Sequence, residues 1–159
     1  VQGCRFKCKN CFNPETWDFN GGKEWTPEVE DRFIELANKP YIKRISILGG
    51  EPLADENLDG VLNLVNRFRL LLPEKNIWLY TGFTLEQIMY PIVTDALNQQ
   101  RDELINKRQE IVKSVDILVD GQYIESQRNL SAKWKGSDNQ RVIDIQKSLE
   151  QNKVILWEN

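Results

Sequence analysis

The sequence predicts an α/β fold in which βα units surround a parallel sheet. Apolar runs of strand length alternate with stretches whose apolar residues repeat at helical spacing, which is typical of βα units. The 159 residues are 40% hydrophobic and contain no linker or repeat, so we expect a single domain over residues 1–159. The predicted strands are 44–48, 76–80, 115–119, 142–143 and 154–157.

Three helices carry distinct signals. Thr26-Pro27-Glu28 combines an N-cap, a proline at the first helical position and an acidic first turn, and Pro40 follows the expected end. The apolar face predicted for this helix consists of Val29, Phe33, Leu36 and Ala37. A core stripe is predicted for Leu58, Val61, Leu62, Val65, Phe68 and Leu72. Thr84 and Gln87 form a capping-box pattern for the third helix.

Residues 95–114 are mostly polar and charged. This composition predicts a solvated helix that crosses the surface. We expect no chemistry from it.

The three cysteines of the chain lie close together as Cys4, Cys8 and Cys11, and the sequence contains no histidine. Thiolates are soft ligands, and three of them can hold three corners of a cubane iron-sulfur cluster while one iron stays open to a substrate. The spacing alone leaves other interpretations open. These are a structural zinc site with a further ligand, a redox pair of Cys8 and Cys11, and three unrelated thiols.

The string Cys4-Arg-Phe-Lys-Cys8-Lys-Asn-Cys11, followed by Phe12-Asn13, resembles the cluster loop of the radical S-adenosylmethionine (SAM) superfamily. Most of that superfamily has an aromatic residue directly before the third cysteine, whereas this chain has Asn10 there and Phe12 just after. That departure is typical of the activating proteins of anaerobic ribonucleoside-triphosphate reductase. The strings 13–17 and 136–144 are similar to the same subfamily, and the resemblance spans essentially the whole chain.

The resemblance implies a partial, open parallel βα barrel of the radical SAM type with a truncated first strand. Val1-Gln2-Gly3 reads as the end of that strand, most of which we expect to precede the sequence. Ligands of parallel βα arrays lie at the carboxyl ends of the strands. We therefore expect the cysteine loop, Gly49-Gly50-Glu51, Thr81-Gly82 and Asp120-Gly121 to meet at one edge.

The resemblance also implies roles for individual residues. Gly49, Gly50 and Glu51 would bind the methionine moiety of SAM, so that a Gly50→Val protein should keep its cluster and bind SAM poorly. The Asn10 backbone and the Phe12 ring would lie beside the adenine. Further contacts to SAM or to the partner are expected from Thr81, Asp120, Asn139, Gln140 and Arg141. From residue type alone, the glycines could be a tight turn, Asp120 a structural cap and 136–141 a polar surface turn.

Two positions depart from the related pyruvate formate-lyase activating enzymes. Those proteins carry an acidic residue and a lysine where this chain has Tyr80 and Gln122. The resemblance therefore does not extend to a cation site or to a lysine contact with the SAM carboxylate.

The implied activity is reductive cleavage of SAM at a 4Fe-4S cluster held by Cys4, Cys8 and Cys11. The resulting 5′-deoxyadenosyl radical would generate a glycyl radical on the large subunit of anaerobic ribonucleoside-triphosphate reductase, with flavodoxin or a similar protein as electron donor. Two alternatives stay open. One is an activase for another glycyl-radical enzyme such as pyruvate formate-lyase, and the other is a non-catalytic three-cysteine metal or redox module.

Composition limits the partners and the compartment. A net charge of −3 and a pI near 5.2 give no basic footprint for nucleic acid. No apolar run is long enough for a membrane span. Clustered cysteines without a secretory signal favour a reducing cytoplasm.

Overall fold

The computed structural model describes residues 1–92 and 98–158, which form an α/β arrangement around one mixed sheet. The strands are β1 (Arg44–Ile47), β2 (Asn76–Tyr80), β3 (Ile117–Asp120) and β4 (Arg141–Asp144). The helices are α1 (Pro27–Ala37), α2 (Leu58–Leu71), α3 (Leu85–Met89), α4 (Gln99–Lys113) and α5 (Ile145–Gln151). The sheet order is β1-β2-β3-β4, in which β1, β2 and β3 are parallel and β4 is antiparallel to β3.

The two faces of the sheet are covered differently. Ile47, Leu79 and Leu118 contribute to the main core, which the helices complete with residues such as Phe68 and Val112. Because side chains alternate between the faces of a strand, the residues between these positions form a second, smaller cluster. That cluster contains Trp78, Ile117 and Val119, with Tyr80, Val142 and Trp157 packed against them.

Several sequence predictions for these elements are confirmed. The Thr26 side chain caps α1 by accepting from the Val29 amide, and Thr84 and Gln87 form a complete capping box on α3. Strand β2 has the predicted bounds. The predicted stripe of α2 lies in the core, with Leu62 only partly buried.

The apolar face predicted for α1 is wrong at two positions. Val29 and Leu36 are 44% and 46% exposed, and the helix instead buries the stripe that contains Glu30 and Ala37. The Glu30 carboxylate accepts from Trp25 Nε1 and Arg67 Nη1, each at 2.8 Å. These bonds satisfy a buried charge. A prediction from hydrophobicity alone places Glu30 outside the buried face, and it therefore rotates that face about the helix axis.

The predicted surface helix is more closely packed than its composition indicated. Residues 95–97 of the predicted helix lie outside the described residues. Within the described part, α4 buries Ile111 and Val112 completely. Arg108 Nε donates to the Leu53 carbonyl at 2.9 Å, and its guanidinium pairs with Asp55. Long polar side chains of α4 therefore make specific contacts rather than only a solvated face.

The ends of the sheet also differ from the prediction. Residues 154–157 form one antiparallel bridge, Ile143 to Leu156, instead of a strand. The short strand predicted at 142–143 is longer and runs antiparallel, because it returns to β3 without a helical crossover among the described residues. The partial barrel stays a prediction. Among the described residues, we find no helix with the length and apolarity needed for a membrane crossing.

Candidate cofactor site

The carboxyl ends of β1, β2 and β3 lie at one edge of the sheet, and the N-terminal residues run beside it. The Val1 amino group donates to the Leu48 carbonyl at 2.6 Å. The Gly50 and Glu51 amides donate to the Val1 and Gly3 carbonyls at 2.8 Å and 2.7 Å. Residues 1–3 are not assigned as a strand, but these bonds direct the cysteine loop, which starts at Cys4, to this edge.

Gly49 and Gly50 are needed where the two backbones approach each other. A Cβ added at Gly50 would lie 2.4 Å from the Gly3 carbonyl oxygen, and one at Gly49 would lie 2.5 Å from that of Val1. Gly49 also has φ +121°, which residues with a Cβ rarely adopt. The group that approaches the glycines in the structure is the segment 1–3, and the predicted contact of Gly49 and Gly50 with the methionine moiety of SAM stays a prediction.

The three cysteines are free thiols of intermediate exposure on one loop. The Cys11 amide donates to the Cys8 carbonyl at 3.1 Å, and the Asn13 amide donates to Cys11 Sγ at 3.4 Å. Burial raises the pKa of Cys4, and backbone hydrogen bonds from Phe6 and Lys7 oppose that rise.

The chemistry of this loop fits an iron-sulfur cluster. Three thiols with backbone N–H groups directed at sulfur are the donor set and the hydrogen-bond environment of such clusters. Over residues 1–92 and 98–158, no three cysteine or carboxylate side chains are already spaced as a metal-ligand group. That spacing is the one that a single metal ion needs, whereas the cysteine sulfur atoms of a cubane cluster lie farther apart, so the loop stays compatible with a cluster.

Glu51 joins the ends of β1 and β2. Its carboxylate accepts from the Leu53 amide at 2.9 Å, from Thr81 Oγ1 at 2.7 Å and from the Gly82 amide at 2.8 Å. The side chain is almost fully buried, and this burial raises the pKa of Glu51 although the hydrogen bonds oppose the rise. Glu51 and Thr81 are brought together as predicted, but their side chains bind each other.

Arg141 pairs with two carboxylates, those of Asp120 and Glu86, and Asp120 and Arg141 are both predicted site residues. Asp120 is 1% exposed and accepts from the Leu85 amide at 2.8 Å and from Arg141 Nε at 3.0 Å. The Arg141 guanidinium also makes two bonds to the Glu86 carboxylate, at 2.9 and 2.7 Å. Asp120 thus caps α3, which is the structural alternative that the sequence left open.

The string 136–141 packs on the loop that follows β3. Gln140 Nε2 donates to the Gly121 carbonyl at 2.9 Å, and Asn139 Nδ2 donates to the Gln122 carbonyl at 2.8 Å. Asn139 Oδ1 is buried and has no hydrogen-bond partner among the described residues. A ligand N–H group could reach this oxygen only after a local movement that exposes it, because the atom has almost no accessible surface.

Two of the predicted site residues, Asn10 and Phe12, lie on the surface of the cysteine loop. Phe12 is 83% exposed, and Asn10 is exposed with φ 57°. The residues predicted from the sequence did not include Phe6 and Phe83, whose rings pack against each other, or Glu86, which pairs with Arg141. A single apolar residue between basic ones in the cysteine loop was a signal for Phe6, whereas nothing in the sequence indicated Glu86.

Comparison with known families identifies the class of protein. A family model described as a 4Fe-4S single cluster domain matches residues 1–143, and the chain belongs to that class. No solved structure gave a significant match.

Curated relatives identify the family more closely. Proteins named anaerobic ribonucleoside-triphosphate reductase-activating protein from Vibrio cholerae and Escherichia coli K12 are 37% and 36% identical over 144 residues, covering 89% of this chain and 83% of each relative. The protein of that name from Enterobacteria phage T4 is 35% identical, covering 89% of this chain and 79% of its own length. The chain belongs to the family of anaerobic ribonucleoside-triphosphate reductase-activating proteins.

Proposed function

We propose that this chain is a radical SAM activase that generates a glycyl radical on the large subunit of anaerobic ribonucleoside-triphosphate reductase. The observation that carries the proposal is the loop with three free cysteines, directed to the carboxyl edge of the sheet by the segment 1–3. Family membership supports the protein target.

Cys4, Cys8 and Cys11 would hold a 4Fe-4S cluster with one open iron. When bound, the reduced cluster supplies the electron that splits SAM into methionine and a 5′-deoxyadenosyl radical, which takes a hydrogen atom from a glycine of the reductase. Flavodoxin or a similar protein would be the electron donor, and the reaction would take place in the cytoplasm.

The protein's own residues would bind and orient SAM. Backbone groups at Gly49 and Gly50 are expected beside the methionine moiety, and Asn10 and Phe12 beside the adenine. Asn139 Oδ1, a buried acceptor without a donor among the described residues, would accept from an N–H group of SAM after a local movement that exposes it. Thr81, Glu51, Asp120 and Arg141 are engaged with protein groups, so we propose that they hold the edge in shape.

The test is an anaerobic assay in two stages. The protein is reconstituted with iron and sulfide, reduced with dithionite and given SAM, and 5′-deoxyadenosine is measured by chromatography. The large reductase subunit is then added, and the glycyl radical is measured by electron paramagnetic resonance (EPR). A Cys8→Ala protein is the control, and it should lose both the cluster and the product.

The outcomes separate the candidate functions. Product with a glycyl radical on the reductase supports the proposal. Product without a radical on the reductase, but with one on pyruvate formate-lyase, would favour the other activase. Absence of product from a fully cluster-loaded protein would favour the non-catalytic metal or redox module.

A further inference from the structure

The five residues between the cysteines differ in exposure. The four polar residues Arg5, Lys7, Lys9 and Asn10 are exposed, whereas Phe6 is half-buried. Arg5 pairs with Glu56 on one side of the loop, and Phe6 is the apolar side chain between the cysteines that packs toward the edge of the sheet.

The Phe6 ring lies on the carboxyl end of β2. Its centroid is 5.0 Å from that of Phe83, at an interplanar angle of 72°, which is the edge-to-face geometry that aromatic pairs prefer. A Cβ added at Gly82 would lie 2.5 Å from Phe6 Cε2. The Gly82 amide in turn donates to the buried Glu51 carboxylate. The ring thus contacts the edge that Glu51 fixes.

The backbone of the loop needs such a contact. Lys7 and Asn10 have φ 46° and 57°, in the left-handed region that is unfavourable for residues with a Cβ. These conformations persist where surrounding contacts determine them. Phe6 directly precedes Lys7, between the first and second cysteines.

We propose that Phe6 is a positioning residue that fixes Cys4 and Cys8 relative to the carboxyl edge through its contacts with Gly82 and Phe83. This inference deepens the proposed function, on which it rests for the role of the loop as a cluster ligand. Phe6 would act through the cysteines, because it sets the direction in which their sulfur atoms present a cluster to SAM.

The first test uses the reduced, metal-free protein and does not depend on activity. Alkylation rates of the three thiols are measured by mass spectrometry for the native protein, for Phe6→Leu and for the control Tyr41→Leu, which alters an exposed aromatic residue. In Phe6→Leu we expect Cys4 and Cys8 to react roughly fivefold faster, since losing an aromatic pair opens the loop locally. Native rates in a folded Phe6→Leu protein would overturn the proposal.

The second test asks whether Gly82 acts through the ring. Gly82→Ala inserts a Cβ beneath Phe6 and should raise the same alkylation rates. In a Phe6→Ala background, where the ring is absent, Gly82→Ala should add nothing. An equal effect of Gly82→Ala in both backgrounds would mean that Gly82 does not act through Phe6, and would overturn the proposal.

A third measurement concerns the loaded protein. After reconstitution, Phe6→Leu should bind iron but show a changed EPR spectrum of the reduced cluster upon SAM addition, whereas Tyr41→Leu should match the native spectrum. An unchanged SAM response in Phe6→Leu would count against a positioning role. Failure of the native protein to cleave SAM would contradict the proposed function and leave the alkylation result standing.

Discussion

At the scale of single residues, Gly50 shows how the structure alters an expectation from sequence. A Cβ there would meet the Gly3 carbonyl oxygen at 2.4 Å, and Gly3 directly precedes Cys4. Gly50→Ala should therefore displace the start of the cysteine loop and lower the iron content after reconstitution. The iron-to-protein ratio measures this effect.

Gly60 provides the matched control. A Cβ at Gly60, within α2, would have no atom within 4 Å, so Gly60→Ala should retain full iron and stabilise the protein by about 0.5–1 kcal/mol. A Gly50→Ala protein with full iron and only weakened SAM binding would instead support a direct contact between the glycine and SAM.

We expect the Glu51 carboxylate to stabilise the folded protein at this site, where it accepts three hydrogen bonds from protein groups. Its Oε2 accepts from the Gly82 amide, and its Oε1 accepts from the Leu53 amide and Thr81 Oγ1. In Glu51→Gln, if the side-chain oxygen keeps the two bonds of Oε1, the NH₂ group faces the Gly82 N–H. One buried donor would lose its acceptor, which costs about 1–3 kcal/mol. Chemical denaturation should show this loss in the metal-free protein. Unchanged stability would mean that the Gly82 amide finds another acceptor.

At the scale of elements, one ion-pair network joins β3, β4 and α3 through Asp120, Arg141 and Glu86. Arg141 lowers the pKa of Glu86 from its usual value of 4.5 to about 2. A carboxylate with a lowered pKa stabilises the folded state above the unfolded pKa, and this contribution is lost as pH falls through the folded value. The native protein should therefore lose stability between about pH 4.5 and pH 2.

Glu86→Gln tests this assignment. Its melting temperature should be lower than that of the native protein at neutral pH, and the difference should shrink as the pH falls through that window. The effect should be modest, because the Glu86 side chain is 53% exposed and solvent screens such pairs. A difference that stays constant with pH would show that the Glu86 charge does not contribute.

The elements also show what sequence could predict. The caps at Thr26 and Thr84 and the bounds of β2 follow from local signals, because capping and strand periodicity act over a few residues. The exposed face of α1 and the contacts of Arg108 could not be predicted, since they depend on partners distant in the chain, such as Arg67 for Glu30 and Leu53 for Arg108. At the site, the spacing of the cysteines indicated a metal or redox loop. The hydrogen bond between Glu51 and Thr81 could not be predicted, because it depends on how the fold brings two strand ends together.

At the scale of the whole molecule, tryptophans pack on the face of the sheet that carries the smaller apolar cluster. The rings of Trp134 and Trp157 lie 5.3 Å and 5.0 Å from that of Trp78, and the Arg44 guanidinium lies over Trp78 and Trp134 at 4.6 and 4.2 Å. Trp78 is in β2, two residues before Tyr80 and three before Thr81. The tryptophans therefore pack against the strand that leads to the edge at which the cysteine loop lies.

Binding of the iron-sulfur cluster should therefore order the cysteine loop and leave the sheet unchanged. The three half-buried cysteines lie on a segment without regular secondary structure, and a group that binds only the folded state stabilises it. Hydrogen exchange of the metal-free and reconstituted proteins should show added protection in residues 4–17 and little change in β2 and β3, which are already buried. Cys8→Ala, treated identically, should gain no protection. Protection gained equally across the sheet would mean that the cluster organises the whole fold, and that the edge is not preformed.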